Sequence, residues 1–345
     1  MNTMSIMLRE IAEQPLALEK TIGAEAEKYR ALKKRLAERE ISFVMIVARG
    51  SSDNASLFGR YLIEISCGIP VSLCAPSVFT LYGAKVDLSN ALVVGVSQSG
   101  EGTDINTVLE AAKASGALTL AITNEAGSSM AKIADEVMLI HAGREKSVAA
   151  TKTYSGQMVH FYMLAEALGG RSLPYHQIPS SVESALGLEA QISELVGCYW
   201  DMTRCVVMGR GLNYGNSYEL SLKLMETCYV VAERFSSADF FHGPLAIIEQ
   251  AFPAILFGPP GPTKKGTLEL LAKLSELKAT TLAITSDDEI AAAASVALRL
   301  PGDIDEFLTP IPYIVPGQLF AAHLAKAKGI DADAPRSLSK VTKTL

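Results

Sequence analysis

The segment SQSGEGTD, at positions 97–104, combines side-chain hydrogen-bond donors with two glycines. It follows an apolar run over 91–96 and precedes the helical pattern NTVLEAAKA, so it lies between a strand end and a helix start. Loop amides, hydroxyls and the positive end of the helix dipole together attract a phosphate at such a turn. Gly100 and Gly102 permit close approach of the backbone. The predicted phosphate ligands here are Ser97, Gln98, Ser99 and Thr103.

A second hydroxyl pair, Ser51 and Ser52, follows Gly50 at the end of the first apolar run. The alternative for the longer loop is that Ser97 or Thr103 only caps the following helix, which is a common use of such residues. Two hydroxyl-rich loops at successive strand ends favour a ligand site, because α/β proteins bind ligands there. A nucleotide is disfavoured, since the chain has no Walker A pattern and GRGLNYG (209–215) misses the dinucleotide spacing by one residue.

Ionisable residues suited to acid–base chemistry occur in the second half of the chain. Glu219, Lys223 and Glu226 stand at i, i+4 and i+7, which places them on one helix face, with an exposed ion-pair stripe as the alternative. His242, which precedes Gly-Pro, suits proton transfer near neutral pH, with a structural histidine as the alternative. Lys340 lies in a polar C-terminal segment, for which the alternative is a frayed basic tail.

Short apolar runs alternating with helical stretches predict the scaffold. After a helical start over about 5–40, broken at Pro15, strands are predicted at 43–48, 91–96, 118–123 and 137–141, and again at 205–208, 254–257, 281–285 and 296–300. ALTLAIT ends at Thr123 and ATTLAIT ends at Thr285, 162 positions apart, while Gly50 and Gly211 are 161 positions apart. This register predicts a duplicated α/β unit with parallel sheets.

The two copies differ in chemistry. The stretch FGPPGPTKKG (257–266) carries three prolines where the first copy has its hydroxyl-rich loop. The predicted organisation is N-terminal helices over 1–40, a first copy with the phosphate loop over 41–175, a second copy with the acid–base residues over 185–330, and a tail with Lys340 over 331–345. The Gly- and Pro-rich stretch 169–179 is the predicted boundary between the copies.

Composition excludes several classes of protein. The 345 residues contain 31 Lys and Arg against 37 Asp and Glu, a net charge of −6, which disfavours nucleic-acid binding. No uncharged apolar run approaches the ~18–20 residues that span a bilayer, so no membrane segment is expected. The five cysteines and five histidines have no paired ligand spacing, and no metal or other cofactor is expected. The N-terminus lacks a signal-peptide pattern, which favours a cytoplasmic location.

In combination, the motifs resemble those of the sugar isomerase (SIS) superfamily. Over nearly its whole length the chain is similar to the isomerase half of glutamine–fructose-6-phosphate aminotransferases, through MLREIAEQP, ARGSSDNAS, SQSGEGTD, SVAATK, ELSLKLMET, HGPLAII and PRSLSKVT in that order. The resemblance implies an α/β protein with two tandem SIS domains, each a three-layer α/β/α unit with a flavodoxin-like parallel sheet, preceded by a helical segment and followed by a tail.

The resemblance also implies roles for individual residues. Those that bind the sugar phosphate are Ser52, Ser97, Gln98 and Ser99, with Thr103 beside them, and the backbone of Val148 and Ala149 touches the sugar. Glu226 moves a proton between C1 and C2, and Lys223 and Glu219 line the site. His242 opens the sugar ring and comes from the neighbouring subunit, which implies a homodimer. Lys340 forms an imine with the keto sugar.

Four positions depart from the aminotransferase pattern. Gly102 replaces a phosphate-binding threonine, Ala150 a serine of the sugar loop, and Met225 and Phe241 lysines beside the acid–base residues. The sequence also contains no glutaminase region, so glutamine is not the expected ammonia source. We therefore expect a deaminase that converts glucosamine 6-phosphate to fructose 6-phosphate and ammonia. A 6-phosphofructosamine deglycase, ammonia-dependent glucosamine-6-phosphate synthesis and a non-catalytic hexose-phosphate sensor are the alternatives.

Overall fold

The computed structural model describes residues 4–338 and 340, which form two compact units. The first unit contains residues 16–145 and 152–176 together with Lys340. The second unit contains residues 4–15, 146–151 and 177–338. The chain therefore passes between the units more than once, and the segment 146–151 belongs to the second unit although both of its neighbours belong to the first.

The described strands follow the alternating pattern of the sequence. In chain order they are β1 Phe43–Val47, β2 Val71–Leu73, β3 Ala91–Ser97, β4 Leu118–Thr123, β5 Glu136–Leu139, β6 Arg204–Gly209, β7 Val231–Ser236, β8 Pro253–Phe257, β9 Thr280–Thr285 and β10 Val296–Arg299.

The helices alternate with these strands. They are α1 Ile6–Ala12, α2 Gln14–Ala37, α3 Ser51–Cys67, α4 Ser77–Thr80, α5 Thr103–Ala114, α6 Ser129–Ile133, α7 Lys152–Ala167, α8 Ile178–Leu186, α9 Glu189–Leu195, α10 Tyr214–Cys228, α11 Ser237–Phe240, α12 Lys264–Glu276, α13 Asp288–Ala293 and α14 Pro310–Ala327. Within the described residues, none of these helices is long and apolar enough to cross a membrane.

Each unit contains one parallel sheet, and the two sheets have the same strand order. The first sheet runs β2-β1-β3-β4-β5 and the second β7-β6-β8-β9-β10, with every described pairing parallel. Counted within each sheet this is the order 2-1-3-4-5 of flavodoxin-like folds. The predicted fold class, two α/β copies with parallel sheets, is confirmed.

The central strands are buried on both faces, as parallel sheets require. All six residues of β4 are buried, as are the first six of β3. Apolar side chains of α5 pack on one face of the first sheet, and those of α12 pack on the second in the same way. The high apolar content of the chain is therefore placed in two separate cores.

The predicted strands agree with the observed strands to within two residues at either end. Two strands were missed, β2 and β7, and both lie at sheet edges. Strand β2 has only three residues, and β7 has exposed charged residues at Glu233 and Arg234. An edge strand has only one hydrogen-bonded neighbour and needs no continuous apolar run, so its pattern in the sequence is weak.

The predicted register between the two copies corresponds to a shared backbone geometry. Gly50 and Gly211, which follow β1 and β6, have φ angles of 57° and 60°. This left-handed conformation favours glycine. Thr123 and Thr285 end the equivalent strands β4 and β9. Both landmarks of the repeat thus lie at corresponding points of the two sheets.

Candidate active site

The hydroxyl-rich loops of the first unit flank the point where its strand order reverses. Strand β1 connects through α3 to β2 on one side, and β3 connects through α5 to β4 on the other. The carboxyl ends of β1 and β3 are adjacent. Ser51 and Ser52 begin α3, and the segment 97–103 joins β3 to α5. Ligands of doubly wound proteins bind at this switch point, above the carboxyl ends of the strands.

The side chains of this loop shape a turn and do not cap the next helix. The N-cap of α5 is Gly102, and no side-chain hydrogen bond caps that helix. The hydroxyl of Ser97 accepts a hydrogen bond from the backbone N–H of Gly100 at 3.1 Å. The alternative of a simple helix cap for Ser97 or Thr103 is therefore wrong. Ser97, Gln98 and Ser99 are half-buried and Thr103 is exposed, so the turn is open to a small anion.

Ser52 is held in place by a residue that sequence reasoning missed. Gln157 on α7 donates a hydrogen bond from Nε2 to the Ser52 hydroxyl oxygen at 2.9 Å. Both side chains are buried. Gln157 lies 105 positions away on α7, and no local pattern in the sequence indicates this contact.

Arg49 is a second residue that was missed. It follows β1 and pairs through Nε with the buried carboxylate of Asp104, at 2.6 Å, in the first turn of α5. The Arg49 side chain is half exposed. The ion pair therefore joins the two loops of the switch point and leaves a cation partly open to solvent beside them. Arg49 belongs to the motif ARGSSDNAS, which could have indicated it from the sequence.

Gly100 is required by the geometry of the turn. Its φ is +65°, and a Cβ at this position would overlap the hydroxyl of Ser128. We expect Gly100→Ala to lower the free energy of unfolding by about 1–3 kcal/mol through backbone strain. Chemical denaturation measures this change. Gly127→Ala is the matched control, because a Cβ there meets nothing within 4 Å. Equal stability of the two variants would contradict the assigned turn.

The corresponding turn of the second unit contains a carboxylate. Thr263, between β8 and α12, donates from its hydroxyl to Glu306 Oε1 at 3.4 Å. The same carboxylate lies against Gly261, and burial raises the pKa of Glu306. A second anion is repelled where a carboxylate already lies. The chemical difference between the two copies that the sequence indicates is thus present in the structure.

The acid–base residues of α10 form a buried charged group. Lys223 Nζ lies 2.6 Å from Glu226 Oε2 and 3.4 Å from Glu219 Oε1. The side chains of Lys223 and Glu219 are fully buried, and that of Glu226 is 20% exposed. The alternative of an exposed ion-pair stripe is therefore wrong. Buried charges of this kind are costly unless paired, and perturbed groups of this kind are typical of functional sites.

The two carboxylates keep Lys223 protonated. Burial alone would lower the pKa of Lys223, but the neighbouring charges of Glu219 and Glu226 outweigh it and raise that pKa above its usual range. Lys223 is therefore a fixed cation between two carboxylates. Glu226, with one fifth of its side chain exposed, is the member of the group that reaches solvent.

The loop 146–151 of the second unit contains the residues predicted to contact the sugar. Val148 is half-buried and Ala149 is buried. The backbone N–H groups of Lys146 and Ser147, just before them, donate to the carboxylate of Glu10. The segment has no helix or strand of its own, so side chains of other elements fix its path.

His242 lies in a turn directly after α11 and is exposed. Its backbone N–H donates to the carbonyl of Asp239 at 3.0 Å. Large apolar side chains near it are also exposed, with Phe241 43% and Ile247 47% accessible.

Lys340 is tied to a buried carboxylate of the first unit. Its Nζ lies 2.8 Å from Glu145 Oε2, and the Glu145 side chain is fully buried. The same carboxylate accepts hydrogen bonds from the backbone N–H and the hydroxyl of Thr153. Lys340 is therefore held by an ion pair, and Glu145 is a further residue that the sequence reasoning missed.

The structure groups the predicted residues within each unit. In the first unit Ser52 and the loop 97–103 meet at the switch point of the sheet, and Lys340 is bound by Glu145. In the second unit Glu219, Lys223 and Glu226 form one charged group. The second unit also contains His242, Val148 and Ala149.

Two flavodoxin-like parallel sheets, with a hydroxyl-rich turn at the switch point of the first, define a doubly wound α/β protein with a candidate anion-binding turn. The SIS domain family matches residues 39–167 and 199–327. The chain belongs to this family.

Known relatives agree with this assignment. The glutamine–fructose-6-phosphate aminotransferase [isomerizing] of Methanothermobacter thermautotrophicus is 36% identical over 338 residues, which are 97% of this chain and 56% of the relative. The chain thus spans little more than half the length of that protein. The C-terminal domain of glucosamine-fructose-6-phosphate aminotransferase from Francisella tularensis superposes with a TM-score of 0.86 at 28% identity, covering 97% of this chain and 99% of that one.

A more distant structure shows the same fold. The tagatose-6-phosphate ketose/aldose isomerase from Escherichia coli has a TM-score of 0.86 at 20% identity, covering 97% of this chain and 96% of that one.

Proposed function

We propose that the protein isomerises a hexosamine 6-phosphate and releases its nitrogen, converting glucosamine 6-phosphate and water to fructose 6-phosphate and ammonia. The observation that carries the proposal is the charged group on α10, in which Glu226 is the partly exposed carboxylate and Lys223 and Glu219 are buried behind it. The names of the relatives support the substrate class, since they contain fructose 6-phosphate and an isomerising activity.

Glu226 acts as the base of the isomerisation. In the open-chain aldose, C2 lies next to the C1 aldehyde, so its proton is acidic enough for a carboxylate to remove. Glu226 takes this proton and returns it to C1, while a proton passes from the C2 amine to the C1 oxygen, which leaves a C1 hydroxymethyl group and an imine at C2. Lys223 stays protonated throughout, because its pKa is raised, and stabilises negative charge beside the reacting carbons.

The imine at C2 is the point where nitrogen leaves. The amine of Lys340 attacks C2, ammonia departs, and a lysine–sugar imine remains. Water then hydrolyses this imine to the ketone and regenerates the lysine. The ammonium group of Lys340 must first lose its proton, so its contact with Glu145 at 2.8 Å provides a carboxylate that can accept it.

The turn at 97–103 and Ser52 bind the phosphate group. The turn offers backbone N–H groups, hydroxyls and the N-termini of α3 and α5, while Arg49 adds a partly exposed cation. Gly102 has no hydroxyl, so Thr103 is the residue that provides an exposed hydroxyl where the turn meets α5. The phosphate is thus held by a local set of donors in a chain of net negative charge.

His242 opens the sugar ring by protonating the ring oxygen. Because the side chain is exposed and exposed apolar residues lie near it, we place it in the site of a second copy of the chain. The functional form is then a homodimer.

Ammonia release from glucosamine 6-phosphate is the direct test. The purified protein is incubated with glucosamine 6-phosphate, galactosamine 6-phosphate or a 6-phosphofructosamine, and ammonia or free amine is measured together with the ketose product. We expect fructose 6-phosphate and ammonia to appear in equal amounts from the glucosamine compound. Release of amine from the 6-phosphofructosamine alone would show that the protein is a deglycase and not a deaminase. Binding of these sugar phosphates without turnover would show that it is a sensor.

A mixing experiment tests the shared site. Glu226→Gln and His242→Asn are expected to be nearly inactive alone. In a mixed dimer one of the two sites combines an intact Glu226 with an intact His242, so random mixing restores about one quarter of the wild-type activity. Subunit exchange is followed with a tag on one variant. Formation of the mixed dimer without recovery of activity would show that each subunit uses its own His242.

A further inference from the structure

Helix α1 and the start of α2, formed by the N-terminal motif, contain buried polar side chains that the proposed reaction does not use. Glu10 is 3% exposed, and Gln14, the first residue of α2, is fully buried. Long polar side chains are seldom buried without a partner. Glu10 contacts the loop 146–151 directly, and Gln14 contacts it through Gln318. This loop contains Val148 and Ala149, which are predicted to contact the sugar.

Glu10 holds the beginning of the loop 146–151. Its Oε1 accepts the backbone N–H of Lys146 at 2.6 Å, and its Oε2 accepts that of Ser147 at 3.1 Å. Hydrogen bonds to a carboxylate are stronger than those between neutral groups. Since the loop has no strand or helix of its own, this carboxylate takes the place of regular backbone pairing just before Val148 and Ala149.

Gln14 reaches the other end of the same loop through one more residue. Its Nε2 donates to Gln318 Oε1 at 2.9 Å, and Gln318 Nε2 donates to the carbonyl of Thr151 at 3.4 Å. Gln318 lies on α14 and is fully buried. The loop is therefore bound near both ends by polar side chains.

The N-terminus of α1 binds the segment that leads to the tail. Asp333 Oδ2 accepts the backbone N–H of Ile6 at 2.6 Å, and Oδ1 accepts that of Met7 at 2.9 Å. The first N–H groups of a helix have no partner inside it, and an acidic side chain is favoured there. Asp333 itself is oriented by Asp331, whose Oδ1 accepts its backbone N–H at 2.9 Å. Lys340 follows seven positions after Asp333.

From these contacts we infer that α1 is a positioning element, with Glu10 fixing the sugar-contacting loop and Asp333 fixing the start of the tail that carries Lys340. Neither residue touches the substrate. The functional part of this inference rests on the proposed function. The physical reason is that two segments without regular structure must be held in place for the chemistry, because a misplacement of about 1 Å costs about a hundredfold in rate and a smaller one costs less.

Amide hydrogen exchange and kinetics on two variants test the inference. Glu10→Gln removes the charge and one acceptor, and we expect the amides of 146 and 147 to exchange about tenfold faster. Asp333→Asn should do the same for the amides of Ile6 and Met7. In both variants kcat should fall about tenfold, while the dissociation constant for inorganic phosphate stays within about twofold, because the phosphate donors lie elsewhere.

The controls are Glu19→Gln and Asp201→Asn, which change exposed carboxylates outside these contacts. They should match the wild type in exchange and in kcat. Exchange in both test variants at the control rate would overturn the inference, and so would faster exchange with unchanged kcat in an active enzyme. If Glu10→Gln does not fold, the inference is tested with Asp333→Asn alone, through the exchange of the Ile6 and Met7 amides and through kcat. A wild type without turnover defeats the proposed function, whereas the exchange data, collected without substrate, still decide whether α1 holds the two segments.

Discussion

Replacing Glu226 by glutamine lowers kcat for ammonia release by about 10²–10⁴-fold, the loss typical of a positioned general base. Glutamine has nearly the same shape and can still accept a hydrogen bond from Lys223, which keeps its buried partner Glu219. The fold is therefore retained, and the loss reports the missing proton acceptor. Steady-state kinetics give kcat, and titration with inorganic phosphate verifies that the phosphate turn still binds.

Glu233→Gln is the matched control for this experiment. Glu233 is an exposed glutamate on β7, which belongs to the sheet of the second unit, as α10 belongs to that unit. The substitution is therefore chemically the same, but no buried lysine of the described chain lies beside it. It should leave kcat unchanged. If Glu226→Gln releases ammonia as fast as Glu233→Gln, the base is another residue and the proposed mechanism is wrong. Incorporation of solvent deuterium at C1, which occurs whenever the proton held by Glu226 exchanges with water before it is returned, should disappear in the same variant.

The scaffold of the site could be predicted from sequence because it depends on local and periodic features. The buried strands have continuous apolar runs, and the repeat is visible in two strings that end at Thr123 and Thr285. The turn at 97–103 has its own composition of serine and glycine. The helical spacing of Glu219, Lys223 and Glu226 places them on one face wherever the helix lies.

What could not be predicted depends on contacts between distant parts of the chain. The burial of α10 depends on elements far away in the sequence, such as α14, where Gly317 leaves room for Leu220 of α10. The Glu10 carboxylate binds amides more than 130 positions away, and Lys340 meets Glu145 across 195 positions. Helical periodicity is the same for an ion-pair stripe in water and for a buried charged group, so only the tertiary structure distinguishes them.

Replacing Lys223 by methionine lowers the free energy of unfolding by about 3–5 kcal/mol, because it leaves a fully buried Glu219 without its cation. Denaturant unfolding near neutral pH measures this loss. Lys265→Met is the matched control, since that lysine is 91% exposed and its nearest carboxylate oxygen is 4.0 Å away. The double variant Lys223→Met/Glu219→Gln should recover part of the loss, because it also removes the unpaired charge.

The pH dependence of that difference identifies the charge on Lys223 as its origin. The pKa of Lys223 is raised in the folded protein, so its contribution is complete below the unfolded value of about 10.4 and is lost as the pH rises through the folded value. The stability gap between wild type and Lys223→Met should therefore be constant from neutral pH to about pH 9 and shrink above about pH 10.4. A gap that stays constant into strong alkali would mean that the lysine stabilises the fold by packing alone. In that case the charge of Lys223 would not contribute to the stability of the group that contains Glu226.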